Sequence, residues 1–399
     1  MTLTEWNAYV RLPIDVVRAE GDTLILRDGR RVLDLYGGHC VLSLGAGNAT
    51  LGAALTKQWS ELAFVTNLID HAPRHAFLRA FEPNLPPGDW HVFCSNSGAE
   101  ANENALKAAL HATGRDTVVA FSGAFHGRTA AAAAVTDTNK KASPFTPFHV
   151  VRVPFGDAAQ ARAAITDRVA AVILEPIQSL AGVVDPPAGF LETLREACTE
   201  HGAALIFDEV QTGNGRLGTP WASQHFCVTP DFFTTAKGAA GGIPLGLTVA
   251  AAAWATRVPG SLFGSTFGGG PLPLALAAEV ARAIAAPEFQ DNVRAASAAL
   301  IEAGVRGPVA RVRGAGLLLG LELKPGLTAK PVRDALLREG VLVGTCDDPS
   351  VLRLCPALTL KPERARLLAA ALDAVGDSCS VPAPRSDRSD GVRSVEVAR

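Results

Sequence analysis

The residues of this chain best placed to do chemistry are an acid, Asp208, and a lysine, Lys237. Asp208 ends the apolar run Ala204-Leu205-Ile206-Phe207, and Lys237 follows a second run at Phe232-Phe233 and precedes several glycines. Short apolar runs bounded by turn residues read as strands of a sheet buried on both faces. Ligands of open α/β sheets bind outside the carboxyl ends of such strands. The spacing therefore delivers an acid and an amine to one crevice. Withdrawal from water lowers a lysine pKa and leaves the free amine as a nucleophile near neutrality.

An amine of that kind suits a Schiff base with pyridoxal 5′-phosphate (PLP). A carboxylate against the pyridine nitrogen keeps it protonated, so that the ring accepts electrons. Such a charge-assisted hydrogen bond is worth about 1.5–3 kcal/mol. Taken alone, the two residues favour a plainer reading, a core strand ending in a solvated Asp and a lysine on a loop.

Other stretches add to the pair. The strand Trp90–Cys94, the turn Ser95-Asn96-Ser97-Gly98-Ala99-Glu100 and an Ala-rich helix make an anion site, with the amides of Gly98 and Ala99 at the positive helix end. Ser97 and Glu100 also read as a capping box, and the two readings are compatible. Thr117–Phe121 leads into Phe125-His126-Gly127-Arg128, where an aromatic could stack on a ring and an arginine could hold a carboxylate. Val169–Leu174 ends in Glu175.

Two patterns are set aside. His71 and His75 have the spacing of a metal pair, but Pro73 lies between them and no HExxH glutamate accompanies them, so no metal site is expected. Gly213–Gly218 matches GxGxxG, yet it does not leave a strand directly and no helix with an acid follows it.

The elements that must position these groups are legible in outline. The chain has 399 residues, 48% hydrophobic and 19% charged, so a large core is expected. A net charge of −2 gives no basic footprint for nucleic acid. The N-terminus lacks the pattern of a signal peptide, and no stretch reaches the ~18 apolar residues of a membrane span. Seven cysteines without CxxC spacing suggest reduced thiols and a cytoplasmic protein.

Strands alternating with helical stretches predict a doubly wound, mostly parallel sheet. A hairpin is expected over 22–36 around Asp28-Gly29, helices over 51–63 and 190–202, and a core strand in VAAAAWA from Val249. A long helix is expected through PLPLALAAEVARAIAA. After it come a strand pair in VARVRGAGLLLGLEL, a helix over 331–339, short strands at Val341–Gly344 and Val351–Leu354, and a closing helix over 362–376. The domains expected are 1–48, an N-terminal part of a smaller α+β domain; 49–275, the large domain; 276–378, the rest of the small domain; and a disordered tail over 379–399.

The order of the motifs resembles one family. SGAEANENALK, FHGRT, EPIQ, FDEVQTGNGRLG, AKGAAGGIPLG, STFGGGP and VRGAGLLLGLEL look like those of class III PLP-dependent aminotransferases of fold type I, nearest the acetylornithine and succinylornithine branch. That fold has a large domain with a mostly parallel sheet of seven-stranded type and a smaller α+β domain from both chain ends. The resemblance implies that Lys237 forms the Schiff base and moves the proton, while Asp208 pairs with the pyridine nitrogen. It implies that Gln211 bonds the 3′-oxygen, Phe125 and Val210 sandwich the ring, and Gly98 and Ala99 hold the phosphate. Ser97 and Glu175 join this cofactor set. Thr266 is expected to reach the site of a second copy, making a homodimer. Arg128, with Ser265 nearby, is expected at the donor's α-carboxylate, and Arg353 at the carboxylate of glutamate or 2-oxoglutarate.

The implied reaction moves a terminal amine from an N-acylated ornithine, N-acetylornithine first, to 2-oxoglutarate. Ornithine, 4-aminobutyrate, lysine and 2,4-diaminobutyrate are alternative donors, and a PLP mutase, a decarboxylase or a decayed PLP-binding protein are alternative roles. Two departures bear on the donor. Ser179-Leu180 stands where relatives carry Gly-Glu, so Arg353 is expected to lack a carboxylate latch and to be available. Leu44-Gly45-Ala46-Gly47-Asn48-Ala49 replaces the usual LGHxHP.

Overall fold

The computed structural model describes residues 6, 8–137, 145 and 147–376. The expected tail over 379–399 lies outside the described residues. Three strands open the fold: β1 (Val16–Glu20), β2 (Thr23–Leu26) and β3 (Arg31–Asp34). The expected hairpin is β2–β3, antiparallel around Asp28-Gly29. Next come β4 (Trp90–Ser95), β5 (Thr117–Phe121), β6 (His149–Val153), β7 (Val169–Leu174), β8 (Ala204–Asp208), β9 (Phe232–Thr235) and β10 (Gly246–Ala251). These form one seven-stranded sheet in the order β4-β10-β9-β8-β7-β5-β6. Only β10 runs antiparallel to its neighbours.

The sheet is buried on both faces because successive apolar side chains alternate between two cores. Val119, Phe121, Val172, Leu174, Leu205, Phe207 and Phe233 face one side, where they meet the helices Phe190–His201 and Pro271–Ala285. Val118, Ala120, Ala171, Ile173, Ala204, Ile206 and Phe232 face the other, against Ala105, Leu106, Ala108 and Ala109 of the helix Gly98–Thr113. That is the period of two expected of a central strand. The strand order reverses between β5 and β7, which opens a crevice at their carboxyl ends.

The smaller part joins both chain ends. It adds β11 (Val309–Ala315), β12 (Leu318–Leu323), β13 (Val341–Leu342), β14 (Gly344–Thr345) and β15 (Val351–Leu354). β13 pairs in parallel with β3, and Leu33 and Leu35 share a core with Leu319, Leu352, Leu354 and Leu368. The second small sheet has the order β11-β12-β15-β14.

Two expectations are corrected, one helix is added and one boundary is proposed anew. The single short strand at Val341–Gly344 is two, because the chain passes at Val343 from one sheet to the other. Gly344 there lies so close to Tyr36 that a Cβ would come within 2.1 Å of the ring. The VAAAAWA strand stops at Ala251; Ala252–Ala255 turn helically and bury Trp254 against Phe232. The helix Pro287–Gly304 was not anticipated, although Val293, Ala296, Leu300 and Ala303 lie buried at helical spacing. The boundary expected at 275/276 falls inside the helix Pro271–Ala285, whose buried Leu274, Ala277, Ala278 and Ala281 belong to the large core, so we propose the division after Ala285.

Among the described residues no helix is long and apolar enough to cross a membrane. His71 accepts from the amide of Arg74 and contacts the carbonyl of Gly269, while His75 pairs with Asp70. The GxGxxG glycines pack instead of opening a helix: a Cβ on Gly213 would meet the Trp221 ring at 2.7 Å.

Trp221 is the largest fully buried side chain, 4.7 Å from Phe233 and 5.6 Å from Phe81 by ring centroids. Trp221→Ala is expected to cost about 3–5 kcal/mol, the range for emptying a packed aromatic site. Urea unfolding checks this, and a loss below about 1 kcal/mol would contradict the packing described.

Candidate active site

A cavity of about 530 Å³ opens at the carboxyl ends of the central strands. Each strand ends by contributing to it: Ser97, Gly98 and Ala99 after β4, Phe125 and Arg128 after β5, and Glu175 after β7. Asp208, Val210 and Gln211 come from β8, and Lys237 follows β9. Ten of the expected site residues thus meet in one place.

Asp208 is 4% exposed and lies on the cavity wall. Its Oδ2 accepts from Nδ2 of Asn102 at 2.7 Å and lies 2.8 Å from Nδ1 of His126; its Oδ1 accepts from the Val210 amide at 3.0 Å. Asn102 is itself oriented, since Thr234 Oγ1 donates to its Oδ1 at 2.5 Å. No lysine or arginine pairs with Asp208 among the described residues; the His126 ring is its ion-pair partner only when protonated. Asn102 and His126 are site residues that the sequence reading missed. Asn102 stands one turn after Gly98 on the same helix face, and His126 lies inside the FHGRT motif.

Glu175 is buried beside this acid. It accepts from the amides of Phe125 at 2.9 Å and Ser179 at 3.2 Å, which fixes the aromatic's loop. Burial, then the nearby Asp208 charge, pushes its pKa up to about 7. Lys237 sits on a backbone with φ of +21°, a sparsely populated conformation. Removal from water lowers its pKa, opposed by Cys40, Asp208 and Glu175.

The helix Gly98–Thr113 starts at the cavity. Ser97 Oγ accepts from the Glu100 amide, and Glu100 bonds the Asn96 amide instead of closing the expected box on Ser97. The first amides, of Gly98 and Ala99, are those a helix leaves without internal partners. A Cβ on Gly98 would come within 2.9 Å of Val210, so glycine lets the helix end approach the wall.

Three expected residues, Ser265, Thr266 and Arg353, lie outside the cavity lining, whereas Arg128 belongs to it. Ser265 bonds Asn96 at 3.2 Å and the Gly268 amide at 2.9 Å, outside the cavity lining and away from Arg128. Thr266 is exposed and does not line the cavity. Arg128 lies over the Phe125 ring at 5.1 Å, at the cavity wall.

Arg353, 1% exposed, lies behind Gln211 and is not available as expected. It donates to Ser179 Oγ at 2.8 Å, Gln211 Oε1 at 3.2 Å and Tyr36 OH at 2.8 Å. Gln211 Oε1 also accepts from Ser179 at 3.0 Å, which leaves its amide nitrogen to face the cavity. With leucine at position 180, the guanidinium is still held, by three neutral oxygens.

The folded-state pKa of Glu175 lies above its ordinary value near 4.5. The folded chain therefore holds a proton that the unfolded chain releases as pH rises from about 4.5 to about 7, so stability falls through that window and levels above it. Glu175→Gln is expected to flatten this slope in thermal melts between pH 5 and 8. Glu209, pushed up to about 7 by burial, still contributes in the same direction. Equal slopes in the two proteins would refute the assignment.

The geometry agrees with comparisons to known proteins. The family model described as Aminotransferase class-III matches residues 6–375. The acetylornithine aminotransferase of Mycolicibacterium smegmatis is 40% identical over 379 residues, covering 94% of this chain and 96% of that relative. That of Streptomyces coelicolor is 41% identical over 392 residues, covering 97% and 96%. The solved N-acetylornithine aminotransferase of Stenotrophomonas maltophilia K279a superposes with a TM-score of 0.79 at 31% identity, covering 92% of this chain and 98% of that one. An ornithine aminotransferase from Toxoplasma gondii gives 0.86 at 26%, covering 93% and 91%. With a match spanning nearly the whole chain and a cavity that gathers an amine, a buried acid and a helix end, this protein belongs to the aminotransferase class-III family and is an aminotransferase.

Proposed function

We propose that the cavity holds PLP and that the enzyme moves the terminal amine of an N-acylated ornithine, N-acetylornithine first, to 2-oxoglutarate. The observation that carries this reading is Asp208, a buried acid with no lysine or arginine partner among the described residues, in the same cavity as a lysine of lowered pKa. The residues fit the group. A pyridinium would supply the charge that Asp208 lacks, the Gly98 and Ala99 amides suit a phosphate, and Phe125 and Val210 supply the faces of a flat slot.

PLP, when bound, supplies an electron sink that acidifies the C–H beside the substrate amine. Lys237 would take the proton at Nζ from that carbon and return it elsewhere. Its lowered pKa suits it to this task, because the neutral amine is the form that accepts a proton. Asn102 and His126 keep Asp208 in place, and Gln211 offers its amide nitrogen to the cavity. Arg128 at the cavity wall is the cation for the donor's carboxylate, and Arg353 serves that of glutamate or 2-oxoglutarate. The names of the relatives favour the acylated donor over free ornithine.

A homodimer accompanies this reading. The helix Ala49–Leu62 buries only Leu51 and Gln58, and leaves Leu55, Trp59 and Leu62 exposed at helical spacing. Phe64 and Phe267 extend the apolar surface, their rings 5.6 Å apart, next to the exposed Thr266. An apolar surface continuing to Thr266 suits a second copy whose own cavity receives that threonine. A cytoplasmic location fits a chain whose described cysteines are all free.

The visible spectrum of the protein with PLP tests the cofactor and donor together. A Schiff-base band is expected that N-acetylornithine bleaches and 2-oxoglutarate restores, and that Lys237→Ala does not form. No band in the wild type would overturn the cofactor assignment; a band that no ω-amino donor bleaches would overturn the reaction. Trp59→Glu is expected to convert the dimer to monomer in sedimentation and to remove most activity. A variant that stays dimeric would place the interface elsewhere.

A further inference from the structure

Arg353 is a buried cation whose partners are all uncharged. Both N–H groups of its Nη1 are committed, to Ser179 Oγ and Gln211 Oε1, and Nη2 donates to Tyr36 OH. Its Nε is buried without a partner, and the guanidinium pairs with no carboxylate among the described residues. The two hydroxyls are held in turn. Ser179 passes its proton to Gln211 at 3.0 Å. Since the Tyr36 oxygen accepts from Arg353, the Tyr36 proton serves its 2.6 Å contact with Nδ1 of His39. His39 is kept neutral, with a pKa lowered to about 4 by burial and by the charges of Arg353, Lys237 and Arg128, so Nδ1 is free to accept. Every proton in the chain from Arg353 through Tyr36 to His39 has one direction.

A carboxylate entering the cavity meets Gln211, not Arg353. An end-on grip, through one N–H of each Nη, competes with the bonds that Nη1 gives to Ser179 and Gln211. We propose that Tyr36 and Ser179 form an uncharged clasp that stows Arg353 and sets how tightly the enzyme takes the carboxylate of its amino acceptor. The proposal rests on the reading of Arg353 given above. A neutral clasp differs physically from a carboxylate latch. It holds the guanidinium by hydrogen bonds to neutral oxygens instead of a carboxylate in direct contact, and gives way to a substrate anion that supplies one. Tyr36 comes from the loop after β3, Ser179 from the loop after β7 and Arg353 from β15, so the clasp also ties the small domain to the large one. Leu180, beside Ser179, adds no charge; its carbonyl accepts from the Asp347 amide at 2.8 Å.

The test uses the full-length PLP-loaded enzyme as wild type, Tyr36→Phe, Ser179→Ala and Ser179→Thr. Rapid mixing separates the half-reaction with the amine donor from that with 2-oxoglutarate, and calorimetry measures the binding of glutarate, a dicarboxylate that cannot react. Loss of one clasp hydroxyl is expected to tighten glutarate and to lower the half-saturating 2-oxoglutarate concentration, each about tenfold, the scale of one charge-assisted hydrogen bond. The donor half-reaction is expected to change less than about twofold on the same scale, and Ser179→Thr, which keeps the hydroxyl, to match the wild type. Unchanged or weaker glutarate binding overturns the clasp, as does an equal effect on both half-reactions, which is what a merely structural role would give. A wild type that binds glutarate but transfers no amine would sink the aminotransfer reading, while the calorimetry still decides the clasp.

Discussion

The arrangement of this protein turns on one buried negative charge. Asp208 ends a strand whose every residue is withdrawn from water, and a carboxylate there is tolerable only if its oxygens are bonded. Asn102 comes from the helix after β4, His126 from the loop after β5 and the Val210 amide from the turn after β8 itself. The acid therefore orders three segments around it. Its field also reaches its neighbours: it helps to hold Glu175 in its proton-bearing form and partly offsets the loss of charge on Lys237. Of the two carboxyl groups of the cavity, Glu175 is the one that burial favours as neutral.

A second polar network centres on Gln211, which also lines the cavity. Its amide oxygen is shared by Ser179 and Arg353, with Cys40 Sγ 3.7 Å away, so its nitrogen is the end presented to the cavity. One amide thereby lies between the cavity and the buried arginine. The backbone over this region is unusual as well. Gly37, Gly38, His39 and Cys40 all have φ between 55° and 69°, although left-handed conformations cost non-glycine residues about 1–2 kcal/mol each. Only a surrounding structure that fixes the turn from several sides can hold it. Tyr36 against Arg353 and the close approach of Gly37 to the Cys355 carbonyl do so.

Much of the large sheet was legible because its strands are continuous apolar runs with turn residues at their ends. β5, β7 and β8 appear with nearly the expected bounds, and Asp208 and Lys237 emerge at neighbouring strand ends. The misses have specific causes. Pro287–Gly304 carries a short, Ala-rich apolar stripe that follows another helix directly, so no change of pattern marks its start. Val341–Thr345 is too short for periodicity to reveal that its halves join different sheets. His126 and Asn102 went unnoticed because a polar residue inside a motif does not announce a buried acid as its partner.

The sequence by itself determined which residue types reach the crevice, since an apolar run must end somewhere and its turn residues mark the place. It also determined that no carboxylate follows Ser179, because that is a matter of identity at one position. Tertiary structure alone decided what Arg353 does there. Tyr36, Ser179 and Arg353 come from three distant parts of the chain, and hydrogen bonds act only over about 3 Å. No spacing along the sequence encodes such a meeting. It exists only because both chain ends fold into one small domain and close it against the large sheet.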